Sequence, residues 1–171
     1  MIFDKFKNIR TFIFDVDGVF TTGTVIATDD GGMNRDFNIK DGYAINHAVT
    51  NGYQIIIISG GNSEGVRKRL SKLGVQHVYT AVSDKKKKLL SIADEFQLDL
   101  NNAVYMGDDM PDIPVMEMCG ISVSPADAAW EVQEVADIVT KQLGGKGAIR
   151  EVIQKVLISQ DSWANDTAYV W

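Results

Sequence analysis

Asp15 and Asp17 stand two residues apart in TFIFDVDGVFTTG, at the end of an apolar run that begins at Thr11. Carboxylates this close repel each other unless a cation or a shared proton compensates them. Further along, Ser59 and Gly60 follow the run YQIIII, Lys85 opens the lysines of SDKKKK, and Asp108, Asp109 and Asp112 follow AVYM in GDDMPD. Carboxylates, a hydroxyl and an ammonium gathered in this way suit Mg2+, which takes oxygen ligands, and a phosphoryl group. Asp15, at a strand end, can attack phosphorus as a carboxylate nucleophile. Asp17, one pleat further on, can donate a proton to the leaving oxygen and afterwards recover one. Gly18 permits a tight turn that leaves the Asp17 carbonyl available to the metal. Asp108 can complete the protein ligands, with Asp109 and Asp112 at the metal or just outside it. Ser59 and Lys85 would hold the phosphoryl oxygens and offset charge as it develops.

Each of these residues alone has a structural alternative. Asp is common in turns and helix caps, and Asp112 could simply occupy the first turn of a helix, with Pro111 near its start. Lys86, Lys87 and Lys88 read as a solvated face, because a helix cannot point four consecutive side chains one way. The full ordered set is what argues for chemistry. GGNS, residues 60–63, has neither the dinucleotide spacing nor the Lys-Ser ending of a phosphate loop. His47, on an expected helix, and His77, at an expected strand, read as structural or exposed. In GGKGAIREV, Lys146 and Arg150 could contact an anion, and ordinary loop and cap duties are the alternative.

The elements that must position these groups alternate. Residues 9–14, 53–58, 77–79, 103–106, 120–123 and 137–139 read as strands, and 53–58 is apolar almost throughout, as a strand covered on both faces should be. Residues 42–50, 63–73, 84–96, 113–118 and 148–158 read as helices bounded by Gly, Asn or Pro. This order predicts an α/β fold of three layers, a mostly parallel Rossmann-like sheet with helices on both faces, and a site at the carboxyl ends of its strands. Residues 25–38 break the alternation. DDGG at 29–32 is hairpin chemistry, so a β-hairpin should project from that edge as a loop, a lid or an assembly surface.

At 171 residues, with 45% hydrophobic and 23% charged residues, the chain is expected to form one domain over residues 1–158, hairpin included and without a separate cap domain. Residues 159–171 form a polar tail, whose last residues are expected to be disordered or docked on a neighbour. A formal charge of −6, from 17 basic and 23 acidic residues, argues against a nucleic-acid ligand but not against a small anion. No apolar run is long enough to cross a bilayer, and the expected location is the cytoplasm. The single Cys119 reads as a small buried apolar residue.

The ordered set DVDG, Ser59, Lys85 and GDDMPD resembles the four motifs of the haloacid dehalogenase superfamily of aspartyl-phosphate hydrolases. The resemblance implies Asp15 as nucleophile and Asp17 as acid/base. It also implies Mg2+ on Asp15, the Asp17 carbonyl and Asp108, with phosphate contacts from Ser59 and Lys85. DVDGVFTTG, FNIKDGYAI, LGV, SDK, GDDMPDIPVM and GGKGAIREV are similar to the small capless phosphatases that act on 3-deoxy-D-manno-octulosonate 8-phosphate. That resemblance implies lipopolysaccharide biosynthesis, a homotetramer assembled through the hairpin, and active sites closed by a neighbouring subunit. Thr22 replaces the Asp of many relatives, and Gly61 replaces the Arg frequent among the octulosonate enzymes or the Glu of the related nine-carbon group. Arg69 and Lys72 match positions that face a neighbour's substrate carboxylate in that nine-carbon group. Lys72 thus points to 2-keto-3-deoxynononate 9-phosphate or an acylneuraminate 9-phosphate, and the lack of Glu at 61 points away, leaving the octulosonate as the first expectation. A phosphoacceptor signalling domain and an inactive assembly protein are the readings of a different class. A receiver would need its acceptor Asp where this sequence has Ser59.

Overall fold

The computed structural model describes residues 2–170. The chain opens with a helical turn, α1 (Ile2–Phe6), and enters the first strand, β1 (Thr11–Phe14). A hairpin of β2 (Ile26–Ala27) and β3 (Met33–Asn34) follows, and then α2 (Ile39–Thr50), β4 (Gln54–Ile58), α3 (Glu64–Lys72), β5 (His77–Tyr79) and α4 (Lys85–Phe96). The second half runs β6 (Ala103–Met106), α5 (Ile113–Met116), β7 (Ile121–Ser124), α6 (Trp130–Val135), β8 (Ile138–Val139) and α7 (Ala148–Ser159). Six strands pair in parallel in the order β5-β4-β1-β6-β7-β8, and β2 and β3 form a separate antiparallel pair. The expected α/β sheet with a projecting hairpin is therefore present.

Alternation along β1 explains the layers. Phe12 and Phe14 pack with Ile45 of α2, Leu70 of α3 and Ile149, Val152 and Ile153 of α7. Ile13, on the opposite face, packs with Leu89 and Ile92 of α4, Val115 of α5 and Val132 of α6. Burying one such side chain is worth about 1.5–3 kcal/mol, so the two cores fix β1 between its neighbours tightly. Phe14 lies opposite Ile57 of β4 and Met106 of β6, so β1 and β6 end at one level and β4 runs one residue further.

Capping side chains set several boundaries. The start of α2 is Ile39 rather than Gly42, because the Asn38 side chain accepts from the N–H groups of Lys40 and Asp41. Ser63 and Asp84 likewise cap α3 and α4 from just outside them. The helix expected over 113–118 ends at Met116, and α1 and α6 add two helices to those expected.

The C-terminal tail follows α7. Its described part packs on its own chain: Trp163 presents its backbone oxygen 3.0 Å from His47 Nε2, and its indole lies edge-on to the rings of Tyr43 and His47. Asn165 donates to the Asn51 side chain at 2.5 Å, and Tyr43 donates to the Ala168 carbonyl. His47 is buried beneath this segment, in line with its structural reading.

Candidate active site

The chain proceeds from β1 to β4 and β5 on one side, then crosses to β6, β7 and β8 on the other. Strand order therefore reverses around β1, and a crevice opens at the carboxyl ends of β4, β1 and β6. Asp15 leaves β1, Ser59 leaves β4, Asp108 follows β6, and Lys85 is the first residue of α4. Together with Asp17, Gly60, Asp109 and Asp112 they line a cavity of about 400 Å3.

Asp15 and Lys85 are both buried, with Lys85 Nζ 3.0 Å from Asp15 Oδ2 and 2.7 Å from Asp112 Oδ1. Burial, reinforced by Asp112 and opposed by Lys85, pushes the Asp15 carboxyl up to about 6. Burial also pushes Asp108 to about 7, with Asp15 and Asp112 adding to it. For Lys85, burial alone would lower the ammonium's proton affinity, but the two carboxylates outweigh it and the net shift is upward. The cluster thus carries more negative charge than one ammonium offsets, and a bound cation would favour the ionised forms of Asp15 and Asp108.

The donor set fits such a cation. Oxygens of Asp15, Asp108 and Asp112 lie within 4.8 Å of one another. All-oxygen donors at this spacing suit a hard ion such as Mg2+. Asp112 is otherwise employed: its Oδ1 accepts from Lys85 and from the Tyr105 hydroxyl at 2.6 Å, and its Oδ2 accepts the N–H groups of Asp108 at 3.1 Å and Asp109 at 3.4 Å. Its lone pairs are filled, so it orients Lys85 and the loop after β6. Among the described residues no donor reaches the Asp108 side chain, whose oxygens are free to accept a cation. The Asp109 side chain accepts from Met110 N–H at 2.8 Å and caps the short turn that leads into α5.

Close approach explains two loops. A Cβ on Gly18 would fall 1.9 Å from Asp108 Oδ2, and its φ of +78° favours glycine. A Cβ on Gly144 would fall 1.8 Å from the Gly18 carbonyl, so GGKG packs against the turn after Asp17. Thr21 Oγ1 accepts from the N–H groups of Gly18 and Gly23, both at 3.3 Å, and bonds this turn across position 22.

Four of the expected substrate-binding residues stand outside this cavity. Arg69 crosses over α2, where a Cβ on Gly42 would meet its Nη2 at 2.6 Å, and Lys72 is exposed; neither lines the cavity. Lys146 and Arg150 line a separate depression of about 510 Å3 with Lys40, Lys141 and Lys155. That depression is the larger, but it lacks the carboxylate cluster. Arg150 also lies over the rings of Tyr43 and Trp163.

Three contributors were not singled out from sequence. Tyr105 is a phenol in an otherwise aliphatic buried strand, and that contrast was its signal. Asp41 is buried and accepts from Gly147 N–H at 3.1 Å and Arg150 N–H at 2.8 Å, so it caps α7 and ties GGKG in place. Arg35, just beyond β3, donates through Nε to Asp17 Oδ1 at 2.6 Å and through Nη2 to Oδ2 at 3.1 Å. Nothing local in the sequence linked it to Asp17.

The profile of the haloacid dehalogenase-like hydrolases matches residues 77–153. The 3-deoxy-D-manno-octulosonate 8-phosphate phosphatase KdsC of Escherichia coli is 38% identical over 156 residues, which span 91% of this chain and 83% of that protein. The chain belongs to the haloacid dehalogenase-like hydrolases, in their KdsC-like branch. The phosphatase of the same name from Yersinia pestis superposes with a TM-score of 0.91 at 35% identity, over 94% of this chain and 87% of that one. The Moraxella catarrhalis phosphatase, solved with magnesium, phosphate and KDO, gives 0.90 at 31% identity, over 94% and 92%. As a haloacid dehalogenase-like hydrolase of this branch the protein is a phosphomonoesterase, and the signalling and assembly readings give way.

Proposed function

We propose that this protein hydrolyses 3-deoxy-D-manno-octulosonate 8-phosphate to the free sugar acid and phosphate, with Mg2+, through an aspartyl-phosphate. The observation that carries the mechanism is the buried Asp15 carboxylate, facing the cavity beside Lys85 and an unbonded Asp108. The names of the KdsC relatives support the substrate.

Asp15 attacks phosphorus as the bond to the sugar oxygen breaks, and Asp17 protonates that oxygen. Asp17 then takes a proton from water, the water attacks the phosphoryl group, and Asp15 is released as a carboxylate. Ser59 Oγ and the Gly60 backbone border the position of the phosphoryl oxygens, and Lys85 offsets their charge. Mg2+, held by Asp15, Asp108 and the Asp17 carbonyl, would neutralise phosphoryl charge so that an anionic nucleophile can approach.

Arg69, Lys72, Lys146 and Arg150 lie outside their own chain's cavity, and we assign their sugar contacts to the site of a neighbouring subunit in a homotetramer. Exposed Val25, Ile26 and Met33 give the hairpin an apolar surface suited to that assembly. No described helix is long and apolar enough to cross a membrane, which fits a cytoplasmic enzyme.

Phosphate release with Mg2+ should be compared on octulosonate 8-phosphate, 2-keto-3-deoxynononate 9-phosphate and N-acetylneuraminate 9-phosphate. The expected kcat/KM is at least about 10-fold higher for the eight-carbon substrate, the scale on which one extra carbon is rejected. Equal values, or a nine-carbon preference, would overturn the substrate assignment.

A further inference from the structure

We propose that Arg35 is a positioning residue for Asp17, holding its carboxylate toward the leaving-group side of the cavity and tying the hairpin to proton transfer. This rests on the acid/base role given to Asp17 above. The guanidinium forms a fork: Nε to Oδ1 at 2.6 Å and Nη2 to Oδ2 at 3.1 Å. Its third nitrogen, Nη1, donates to the Met33 carbonyl at 3.1 Å, so the group is anchored to β3 while it grips Asp17.

Exposure is unequal across the pair. The Arg35 side chain is 10% exposed and that of Asp17 37%, so a packed cation holds a carboxylate that remains open to the cavity. Among the described residues no other side chain bonds to that carboxylate. The proton that Asp17 delivers must sit on an oxygen the fork has released, so the longer arm, Nη2 to Oδ2, opens in that step while Nε keeps Oδ1 in place; without Arg35 the Asp17 side chain would rotate among its staggered positions. Lysine is a point charge and cannot fix both oxygens in a plane as guanidinium does.

Gly61 makes room for the pair. A Cβ there would lie 3.2 Å from Asp17 Oδ2, tighter than ordinary contact, and 3.4 Å from Arg35 Nη2, at the near edge of it. A side chain at position 61 would therefore crowd Asp17 at the point where Arg35 meets it.

A merely structural ion pair would also be lost in Arg35→Ala, so the test depends on the leaving group. The value of kcat/KM reports transfer of the phosphoryl group to Asp15. In that step a sugar alkoxide needs a proton, whereas 4-nitrophenolate and acetate leave without one. Arg35→Ala is expected to lower kcat/KM for octulosonate 8-phosphate by about 10- to 100-fold and for 4-nitrophenyl phosphate or acetyl phosphate by less than about 3-fold. Arg35→Lys should recover only part of the loss, and added guanidinium ion should restore turnover of the sugar substrate by Arg35→Ala.

Equal losses on both kinds of substrate, accompanied by a lower melting temperature or altered oligomeric mass, would make the pair structural and overturn the proposal. Unchanged or faster sugar-phosphate turnover would overturn it as well. Asp17→Asn, assayed alongside, separates the two readings. If that variant also lacks dependence on the leaving group, the acid/base role of Asp17 has failed; if only Arg35→Ala lacks it, the positioning role has.

Discussion

Asp15→Asn should reduce phosphate release from the sugar phosphate by about 10,000-fold or more while the fold persists. The amide has nearly the same shape but no longer offers an anionic oxygen to phosphorus. Lys85 does not lose its only partner, because it remains 2.7 Å from Asp112. The stability sign follows from the raised carboxyl. With Asp15 lifted from 3.8 to about 6, the folded protein holds that proton more tightly than the unfolded chain. Its contribution favours folding below about pH 4 and is lost as pH rises through 6. Near pH 7.5 without metal, the ionised group opposes folding, and Asp15→Asn should melt at the wild-type temperature or above it. Phosphate assays and melts followed by circular dichroism in EDTA check both halves. Loss of activity together with a much lower melting temperature would instead make Asp15 a structural residue.

Lys85→Met should impair both stability and turnover. Lys85 is 8% exposed and touches two buried carboxylates, so an apolar replacement leaves Asp15 and Asp112 without their cation. Breaking a buried pair from one side costs about 3–5 kcal/mol. Removing a group that offsets phosphoryl charge costs about 100- to 1,000-fold in kcat. Protonation of a carboxyl offers partial relief, so the stability deficit should shrink as pH falls from 8 toward about 6, where Asp15 titrates in the wild type. Urea unfolding at those two pH values measures this. Lys86→Met is the control: Lys86 is exposed, and its loss should change stability by no more than about 0.5 kcal/mol. A deficit as small for Lys85→Met would mean that another group compensates the carboxylates.

Much of this arrangement was legible because it is local. The strand ends after TFIF, QIIII and AVYM follow from apolar runs, and a parallel sheet then places Asp15, Ser59 and Asp108 at one edge. Lys85 could be told from its three neighbours only by its position at the start of α4. Asp112 was ambiguous between helix start and metal neighbour, and its four hydrogen bonds show why it had both appearances: it lies in the first turn of its helical segment and at the bottom of the site.

What escaped was long-range or uncapped. Arg35 reaches Asp17 across 18 positions, and only the folded hairpin closes that distance. Helix α6 follows Ala129, which makes no side-chain cap, so no start signal precedes it. The tail is polar and carries no strong periodicity, yet Trp163 and Asn165 find specific partners on α2 and at the cap that ends it. Arg69 and Lys72 rest on resemblance alone, and within one chain neither lines the cavity.

The central claim is that Asp15 takes the phosphoryl group before water does. The most direct measurement is the stereochemical course at phosphorus, using octulosonate 8-phosphate whose phosphorus is made chiral by oxygen isotopes and wild-type enzyme with Mg2+. Two in-line displacements, first by Asp15 and then by water, give overall retention of configuration. Inversion would mean a single direct attack by water and would contradict the account.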